Sequence, residues 1–332
     1  MAIRLGVDLR GGDYGAGPIV QGVKRFLEDT DDVDVVVYGL KEDAHLVEDG
    51  HRLFFKECDE EITPDEQPTR AVKAKGKSTL VCAMNDVKNK KIYGILSAGS
   101  TGAVLTAAYL ILGRIKGIKR PMLAVALPTI KGDPFVIGDI GANSDVRPEF
   151  FVGFSVLGRV YYEVLLGRSN ASVSILNIGT EVEKGNQIVK DAREMLQKYD
   201  WFRGYVEPHA VWHGGYDVVI TDGFSGNIFL KTAEGVFSVI THVIKDNIKN
   251  GGIFTKLGAF MMKNVFVELK DKFDYKSYGG APFLGVNGLV MKMHGRSDEE
   301  AVYSALRSMY KLAKADIIGK IISRLAEVKE YG

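Results

Sequence analysis

The chain has 332 residues, of which 46% are hydrophobic and 26% are charged, as expected of a globular protein with a sizeable core. Its 43 Lys and Arg residues nearly balance its 42 Asp and Glu residues, so the net charge of +1 argues against wholesale nucleic-acid binding. A signal peptide and an apolar run of the roughly 20 residues that cross a bilayer are both absent, so a soluble cytoplasmic protein is expected.

Short β-branched segments alternate along the chain with stretches of helical length and period. In chain order the predicted strands are IRLGVDL, VDVVVYG, RLFFKE, IYGILSA, MLAVALPT, FVIGDIG, SVSILNIG, DVVITDG and LVMKMHG. Between them lie predicted helices such as GPIVQGVKRFLEDT and EFFVGFSVLGRVYYEVLLG. This alternation predicts an α/β fold with three layers and a doubly wound, mainly parallel sheet. Because no linker-like segment or internal repeat is present, residues 1–332 are expected to form a single domain.

Four predicted strands end in loops rich in Gly, Ser, Thr, Asn and Asp. The segments are ILSAGSTGA (95–103), VIGDIGANSD (136–145), ILNIGTEVEKGN (175–186) and VITDGFSGN (219–227). In an open parallel sheet such loops lie beyond the carboxyl ends of the strands, where ligands bind, and helix N-termini there attract anions. The loops therefore predict a site for phosphate or a phosphate-bearing ligand, with Lys184 and Lys231 adding positive charge. Neither a P-loop nor the G-x-G-x-x-G spacing is present, so an ordinary nucleotide site is not expected.

The motifs of the chain resemble, in their order and over nearly its whole length, those of bacterial phosphate acyltransferases, the PlsX family of phospholipid synthesis. The matching segments are GGD (11–13), SAGSTGA (97–103), GRIKGIKRP (113–121), GANSDVRPE (141–149), NIGTEVEKGN (177–186), DGFSGNIFLKTAEG (222–235), DYKSYGGAPFLGVNG (274–288) and HGRSD (294–298). An ordered set of this kind is far more specific than any one motif.

The resemblance implies transfer of a long-chain acyl group from acyl carrier protein to inorganic phosphate, which gives acyl phosphate for phosphatidic acid synthesis. It also implies a fold similar to isocitrate and isopropylmalate dehydrogenases and to phosphotransacetylase, a homodimer, no metal and no organic cofactor. A downstream glycerol-3-phosphate acyltransferase is an expected partner. Two alternatives stay open: acyl transfer from acyl-coenzyme A, as in phosphotransacetylases, and a non-catalytic anion-binding scaffold docked on a membrane. A dehydrogenase is disfavoured because the chain lacks a metal-chelating acid cluster and a dinucleotide fingerprint.

The implied reaction needs no enzyme nucleophile, because a phosphate oxygen can attack the thioester directly. The protein must hold phosphate, stabilise the tetrahedral oxyanion and exclude water. The candidate catalytic residues are Lys184, Asp222, Asn227, Lys231 and His294, the lysines as cations and His294 as proton donor to the departing thiolate. The candidate residues for phosphate or acyl binding are Ser97, Gly99, Ser100, Thr101, Gly102, Asp139, Asn143, Asn177, Gly179, Gly223 and Gly226.

Structural roles are the alternative for several of these residues. Asp139 and Asp222 can be helix N-caps, Lys231 can face solvent, and Lys184 can pair with Glu181 or Glu183. His294 can simply pack at a strand end.

Three positions outside the candidate lists also carry expectations. Arg10, where many members of the resembled family have Met, is expected to add a cation to the anion site. The acidic neighbours of Cys58 are expected to raise the pKa of its thiol, and Cys82 is expected to be a small, buried helix residue.

Two segments predict contacts with partners. The loop GRIKGIKRP is expected to steer acidic acyl carrier protein, although an ordinary solvated loop would look the same; its basic residues are Arg114, Lys116, Lys119 and Arg120. In the segment 251–273, apolar residues at helical spacing predict a core or dimer-interface helix; they include Phe254, Leu257, Phe260 and Met261. The resemblance implies that residues 236–273 form a helical protrusion that contacts the second subunit and, peripherally, a membrane.

Overall fold

Eleven strands form one sheet in the computed structural model, which describes residues 3–47, 50, 52–267 and 279–328. The strands are β1 (Ile3–Asp8), β2 (Val33–Gly39), β3 (Leu53–Glu57), β4 (Gly94–Ser97), β5 (Met122–Leu127), β6 (Phe135–Gly138), β7 (Val173–Leu176), β8 (Phe202–Val206), β9 (Val218–Ile220), β10 (Ala281–Leu284) and β11 (Leu289–Lys292). Their order across the sheet is β3-β2-β1-β4-β11-β10-β5-β6-β9-β7-β8. All nine predicted strands are present, and β8 and β10 are additional.

Helices cover both faces of the sheet. They are α1 (Ala16–Glu28), α2 (Pro68–Ala74), α3 (Thr79–Lys88), α4 (Thr101–Ala107), α5 (Pro148–Leu166), α6 (Gln187–Leu196), α7 (Gly223–Asn250), α8 (Ile253–Met261), α9 (Glu299–Lys314) and α10 (Ile317–Glu327). Alternate strand residues point to two separate apolar cores, one against α1, α5, α6, α9 and α10 and the other against α2, α3 and α4. The predicted three-layer, doubly wound, mainly parallel architecture is confirmed.

Helix α5 shows how the local sequence sets an element of this fold. Pro148 starts the helix at a position where a missing N–H costs nothing, and Gly167, with φ of 65°, follows its last turn in the left-handed conformation. Most of the helix is buried on all sides, because it packs between the sheet and the helices α6, α9 and α10.

The sheet reverses direction at its centre. The pairs β11–β10, β10–β5 and β5–β6 are antiparallel, whereas the other pairs are parallel. After three reversals, β6, β7 and β9 run opposite to β1 and β4. The loop that follows β4 therefore leaves one edge of the sheet, and the loops that follow β6, β7 and β9 leave the other. The strands before these four loops thus run in two directions, which hydrophobic patterning does not reveal, and yet α4 and the loop after β6 line one cavity.

Helices α7 and α8 bury little of their surface against the rest of the described chain. In α7 only Gly223 and Gly226 are buried, and in α8 no residue is buried. The predicted boundary of the protrusion at residue 236 falls within α7, which is continuous from Gly223. Residues 268–273 of that segment, and residues 274–278 of the DYKSYGGAPFLGVNG motif, lie outside the described residues. Among the helices described, none combines the length and the apolar character that a membrane span requires.

Candidate active site

A row of three polar side chains crosses neighbouring strands near the centre of the sheet. Parallel pairing aligns Ser97 of β4 with Asp8 of β1 on one side and with Lys292 of β11 on the other. Because side chains alternate along a strand, all three point to the face that α3 and α4 cover, away from the core that contains Leu96 and Met291. A carboxylate, a hydroxyl and an ammonium group thus lie side by side where three strands end.

Hydrogen bonds connect this row to the loop that follows β4. The Ser97 hydroxyl donates to Asp8 Oδ2 at 2.8 Å and accepts from the backbone N–H of Gly99 at 3.1 Å. Asp8 Oδ1 accepts from the backbone N–H of Arg10 at 3.1 Å. Lys292 Nζ donates to the backbone carbonyls of Met293 and, at 3.4 Å, Ala98. Asp8 therefore fixes Ser97 and, through it, Gly99, while Lys292 binds the intervening Ala98 carbonyl.

Burial shifts the protonation of both charged members of the row. Removal from water raises the pKa of Asp8 to about 6, although hydrogen bonds from Ser97 and Thr79 favour its charged form. Burial also lowers the pKa of Lys292 to about 8; the charge of Lys231 acts in the same direction, and the charges of Asp13 and Asp8 oppose it. Lys292 can therefore gain or lose a proton close to neutral pH.

The loop after β4 packs tightly against the loop after β1. Gly11 has φ of 86°, and a Cβ atom there would lie 2.6 Å from the Cα atom of Gly99, so both its conformation and its surroundings require glycine. Ser100 caps α4 by accepting from the N–H of Ala103 at 3.3 Å, and Thr101 and Gly102 lie exposed in the first turn of that helix. Backbone N–H groups of this turn are available to an anion.

The predicted catalytic residues Lys231 and His294 come together at this end of β11. Burial lowers the pKa of His294, and the charges of Lys231 and Lys292 lower it further. His294 Nδ1 accepts from the backbone N–H of Arg296 at 3.1 Å, so a neutral ring carries its proton on Nε2. Proton donation would require the imidazolium form, which the lysines disfavour. Hydrogen-bond donation from Nε2–H of the neutral ring is the role that this environment favours.

Lys231 keeps a largely exposed side chain. Its ammonium group pairs with Glu234 at 2.7 Å, one turn along α7. Lys231 therefore faces solvent, which was the structural alternative for it. Its charge nevertheless lowers the pKa of His294 and of Lys292. Binding of an anion here would draw on the charges of Lys231 and Lys292 and on the N–H of the neutral His294 ring.

A second group of candidates lies between α7 and the loop that follows β6. Asp139 is completely buried and accepts five hydrogen bonds, from the backbone N–H groups of Leu123, Gly141, Ala142 and Asn143 and from the Asn143 side chain. Burial raises the pKa of Asp139, and these donors oppose the shift. With both oxygens occupied, Asp139 organises this loop. It is not the N-cap of α5, which begins at Pro148 after Arg147.

Close packing explains the glycines at the start of α7. A Cβ atom at Gly226 would lie 1.9 Å from the backbone oxygen of Asp139, and one at Gly223 would lie 2.6 Å from that of Asn143. Asp222 accepts from the N–H of Ser225 at 2.8 Å and is the N-cap of α7, which was the structural alternative for it. Asn227 is exposed beside Gly141. The DGFSGN motif therefore docks α7 on the loop after β6.

The loop after β7 forms a third group, of which Asn177 lines the same cavity as Asp222 and Ser225. Asn177 donates from Nδ2 to the backbone oxygens of Gly179 and Lys184, each at 3.2 Å, and so closes the loop on itself. Lys184 is exposed, and Gly179 is buried beside it. The structure does not bring these residues into the cluster of Lys231, Lys292 and His294.

A cavity of about 970 Å³ lies between α7 and the ends of β5, β7 and β8. Its wall on α7 includes Glu234, the ion-pair partner of Lys231, and Trp212 stacks on Phe229 there with 5.3 Å between ring centroids. Most of its lining is apolar and includes Leu127, Leu176, Ile178, Val189, Trp212, Ile228, Phe229, Val236, Phe237 and Ile240. A long apolar ligand group fits this chemistry.

A smaller cavity of about 260 Å³ lies beside the predicted partner loop. Its lining includes Tyr109, Arg120, Asn143 and Phe283. The four predicted basic residues, Arg114, Lys116, Lys119 and Arg120, are all exposed, while Ile115 and Ile118 anchor the loop in the core. The basic loop therefore presents its charges to solvent next to the cleft between α4 and the loop after β6.

Sequence reasoning missed Lys292 and Asp8 and misassigned Arg10. The Arg10 guanidinium binds Asp43 at 2.8 Å and Glu42 at 2.6 Å, so Arg10 does not supply the expected free cation to the anion site. Lys292 is the one charged residue of β11, LVMK, and Asp8 follows the uncharged run LGV in β1. That signal was available, because a charge in a buried strand requires a partner or a ligand.

Comparison with known proteins gives matches over nearly the whole chain. A family model described as "Fatty acid synthesis protein" matches residues 3–320. A phosphate acyltransferase of Clostridium perfringens (strain SM101) is 41% identical, with 98% of this chain and 97% of the relative covered. A phosphate acyltransferase of Staphylococcus aureus (strain MSSA476) is 37% identical, with 99% of this chain and 100% of the relative covered.

Two solved structures share the fold at low sequence identity. A phosphotransacetylase from Streptococcus pyogenes has a TM-score of 0.62 at 15% identity and covers 95% of this chain and 94% of its own. A branched-chain phosphotransacylase from Enterococcus faecalis has a TM-score of 0.61 at 11% identity and covers 94% of this chain and 99% of its own. The predicted phosphotransacetylase-like fold is confirmed. The chain belongs to the phosphate acyltransferase family and is an enzyme of the transferase class.

Proposed function

We propose that this enzyme transfers a long-chain fatty acyl group from acyl carrier protein to inorganic phosphate and so supplies acyl phosphate for phosphatidic acid synthesis. The observation that carries the proposal is the convergence of Lys231, Lys292 and His294 beside the Gly99 loop. Two cations and a neutral hydrogen-bond donor at the end of the central strands suit a phosphate dianion and a developing oxyanion.

The chemistry requires no covalent intermediate on the protein. A phosphate oxygen attacks the thioester carbonyl, the tetrahedral oxyanion accepts hydrogen bonds, and the carbon–sulfur bond breaks. The thiolate leaves with a proton, and the phosphate releases one, so the reaction balances. Lys231 and the Gly99 loop hold the phosphate, and His294 donates from Nε2–H to the oxyanion.

The size of the larger cavity supports a long acyl group. Its volume of about 970 Å³ lies near the top of the roughly 300–1,000 Å³ that small-molecule sites span, and an acetyl group needs only a small part of it. Each methylene buried there contributes about 0.8 kcal/mol to binding. We place the acyl tail in this cavity, against α7.

A protein-borne donor is supported by the exposed basic loop. Arg114, Lys116, Lys119 and Arg120 carry four positive charges beside the cleft, although the charge of the whole chain is close to zero. A strongly acidic carrier protein would be steered to that loop, and the steering would weaken as salt increases.

The proposal includes a homodimer, peripheral membrane contact and a cytoplasmic location. The apolar side chains of α8 are exposed, with Phe254 at 86%, Leu257 at 56%, Phe260 at 74% and Met261 at 79%. Such a surface is characteristic of a subunit or membrane interface. Release at a membrane would also hand the acyl phosphate to a glycerol-3-phosphate acyltransferase.

The second candidate is transfer from acyl-coenzyme A to phosphate. The observation that favours it is the fold shared with the phosphotransacetylase and the phosphotransacylase. The large apolar cavity and the basic loop favour the carrier-protein donor instead.

One experiment separates these candidates. The purified protein is mixed with phosphate and palmitoyl-acyl carrier protein or palmitoyl-coenzyme A, and hydroxylamine traps any acyl phosphate as the hydroxamate. Phosphate-dependent hydroxamate mainly from the carrier protein supports the proposal, and product mainly from coenzyme A supports the second candidate. Phosphate binding without product from either donor would instead favour a non-catalytic scaffold.

A further inference from the structure

The burial of Lys292 is not explained by a role in holding the fold together. It is the single ammonium group among the apolar residues of β11, and within the part of the chain that the structure describes its hydrogen-bond acceptors are the backbone carbonyls of Ala98 and Met293. Burying an ammonium group without a close carboxylate is costly. Its register with Ser97 holds it directly beneath the loop that begins at Gly99.

The groups that surround Lys292 are both acidic and basic. Asp8 faces it from β1, Asp13 from the loop after β1, His294 from the end of its own strand, and Lys231 with Glu234 from α7. Burial and the charge of Lys231 favour loss of a proton from the ammonium group, and the carboxylates of Asp13 and Asp8 oppose it. Unlike an exposed lysine, Lys292 can therefore give up a proton and take one back near neutral pH.

From this arrangement we propose that Lys292 is the general acid that protonates the departing thiolate. The inference rests on the proposed function. As the carbon–sulfur bond breaks, Lys292 Nζ gives one proton to the sulfur, and the resulting neutral amine takes up the proton that the attacking phosphate releases. Bonds and protons balance without any further reactant. Lys231 and His294 hold the phosphate and the oxyanion, and neither has to transfer a proton.

The test uses Lys292→Arg, which keeps the positive charge but does not lose a proton in the working pH range. With palmitoyl-acyl carrier protein, whose alkyl thiolate needs a proton, kcat should fall by about 10²- to 10⁴-fold. With palmitoyl 4-nitrothiophenyl ester, whose thiolate is stable unprotonated, the fall should be less than about fivefold. The KM for phosphate should change little in either case.

The pH profile provides a second readout. In the wild-type enzyme kcat/KM should decrease as pH rises through about 8, because Lys292 loses its proton there. In Lys292→Arg this decrease should vanish. Lys77→Arg, at an exposed lysine paired with Asp59, is the matched control and should behave as wild type.

The outcomes distinguish the inference from the function on which it rests. No hydroxamate from the wild-type enzyme with any donor would overturn the proposed function. An active wild type with equal losses for the alkyl and aryl thioesters, in both Lys292→Arg and Lys292→Met at unchanged circular dichroism, would overturn the role of Lys292 as an acid. Unchanged activity of both variants would do the same.

Discussion

The role of Lys231 depends on its proximity to two residues that are distant from it in sequence. Its ammonium group pairs with Glu234 on the same helix, yet its charge acts on His294 and Lys292, some sixty residues further along the chain. A solvated helix lysine would contribute little to activity, whereas a phosphate-binding cation would contribute much.

Lys231→Ala should therefore lower kcat/KM for phosphate by at least about tenfold, which corresponds to about 1.4 kcal/mol of transition-state stabilisation. The measurement is the initial rate of hydroxamate formation at several phosphate concentrations. Lys88→Ala, in the last turn of α3, is the control and should leave the rate unchanged. A smaller loss at Lys231 would remove it from the list of catalytic cations.

Lys292 also makes a prediction about stability. Its pKa in the folded protein, about 8, lies below its ordinary value of 10.5, so between these values the unfolded chain binds more protons than the folded chain. The free energy of unfolding should therefore rise as pH increases from about 8 to about 10.5, with an upper limit of about 3–4 kcal/mol. Urea unfolding at several pH values would measure this rise.

In Lys292→Met this rise should be absent, and the variant should be more stable than wild type at pH 7 because a buried charge has been removed. A variant that loses activity and gains stability would mark Lys292 as functional. Lower stability of Lys292→Met at pH 7 would instead indicate that the ammonium group holds the fold together.

At the scale of single elements, the start of α7 depends on contact distances that only glycine permits. Gly226→Ala places a methyl group against the backbone oxygen of Asp139, where a Cβ atom would lie at 1.9 Å. The first turn of the helix must then move away from the loop after β6. We expect the free energy of unfolding to fall by about 1–3 kcal/mol or more.

Gly235→Ala in the same helix is the matched control. No atom lies within 4 Å of the position of its Cβ, so alanine should stabilise the helix by about 0.5–1 kcal/mol. Urea unfolding midpoints of the two variants should therefore move in opposite directions. If both moved the same way, close packing would not be the reason for the glycine at position 226.

At the scale of the whole molecule, the apolar side chains of α8 are exposed and would be buried by a membrane or a second subunit. Leu257→Asp combined with Phe260→Asp should abolish sedimentation with liposomes while the circular dichroism spectrum stays that of a folded protein, because both side chains are exposed. Thr255→Asp adds a charge at a polar, exposed position of the same helix and serves as the control.

Sedimentation velocity on the same variants would test the subunit interface. Loss of the dimer with retained liposome binding would assign the apolar surface of α8 to the second subunit. Unchanged liposome binding and an unchanged dimer would remove this segment from both roles.

Prediction from sequence succeeded where the signal is local. The nine predicted strands follow from short apolar, β-branched runs. The two missed strands have weak local signals, since β8 contains Arg203 and Gly204 and β10 contains Pro282. For Cys58, the predicted rise of the thiol pKa is confirmed, but its largest cause is a hydrogen bond with Cys82, and the acidic neighbours are not the main reason.

The sequence by itself determined the α/β class, the faces of most strands and, through its ordered motifs, the family. Tertiary structure alone decided which edge of the sheet each loop leaves, which glycines serve packing, and that Asp8, Ser97 and Lys292 form one row. The physical reason is that hydrophobic periodicity reports which side of an element is buried, and it is blind to strand direction and to the identity of the neighbour. Three antiparallel pairings at the centre of the sheet therefore make the strands that precede the predicted loops run in two directions, which the sequence pattern did not show.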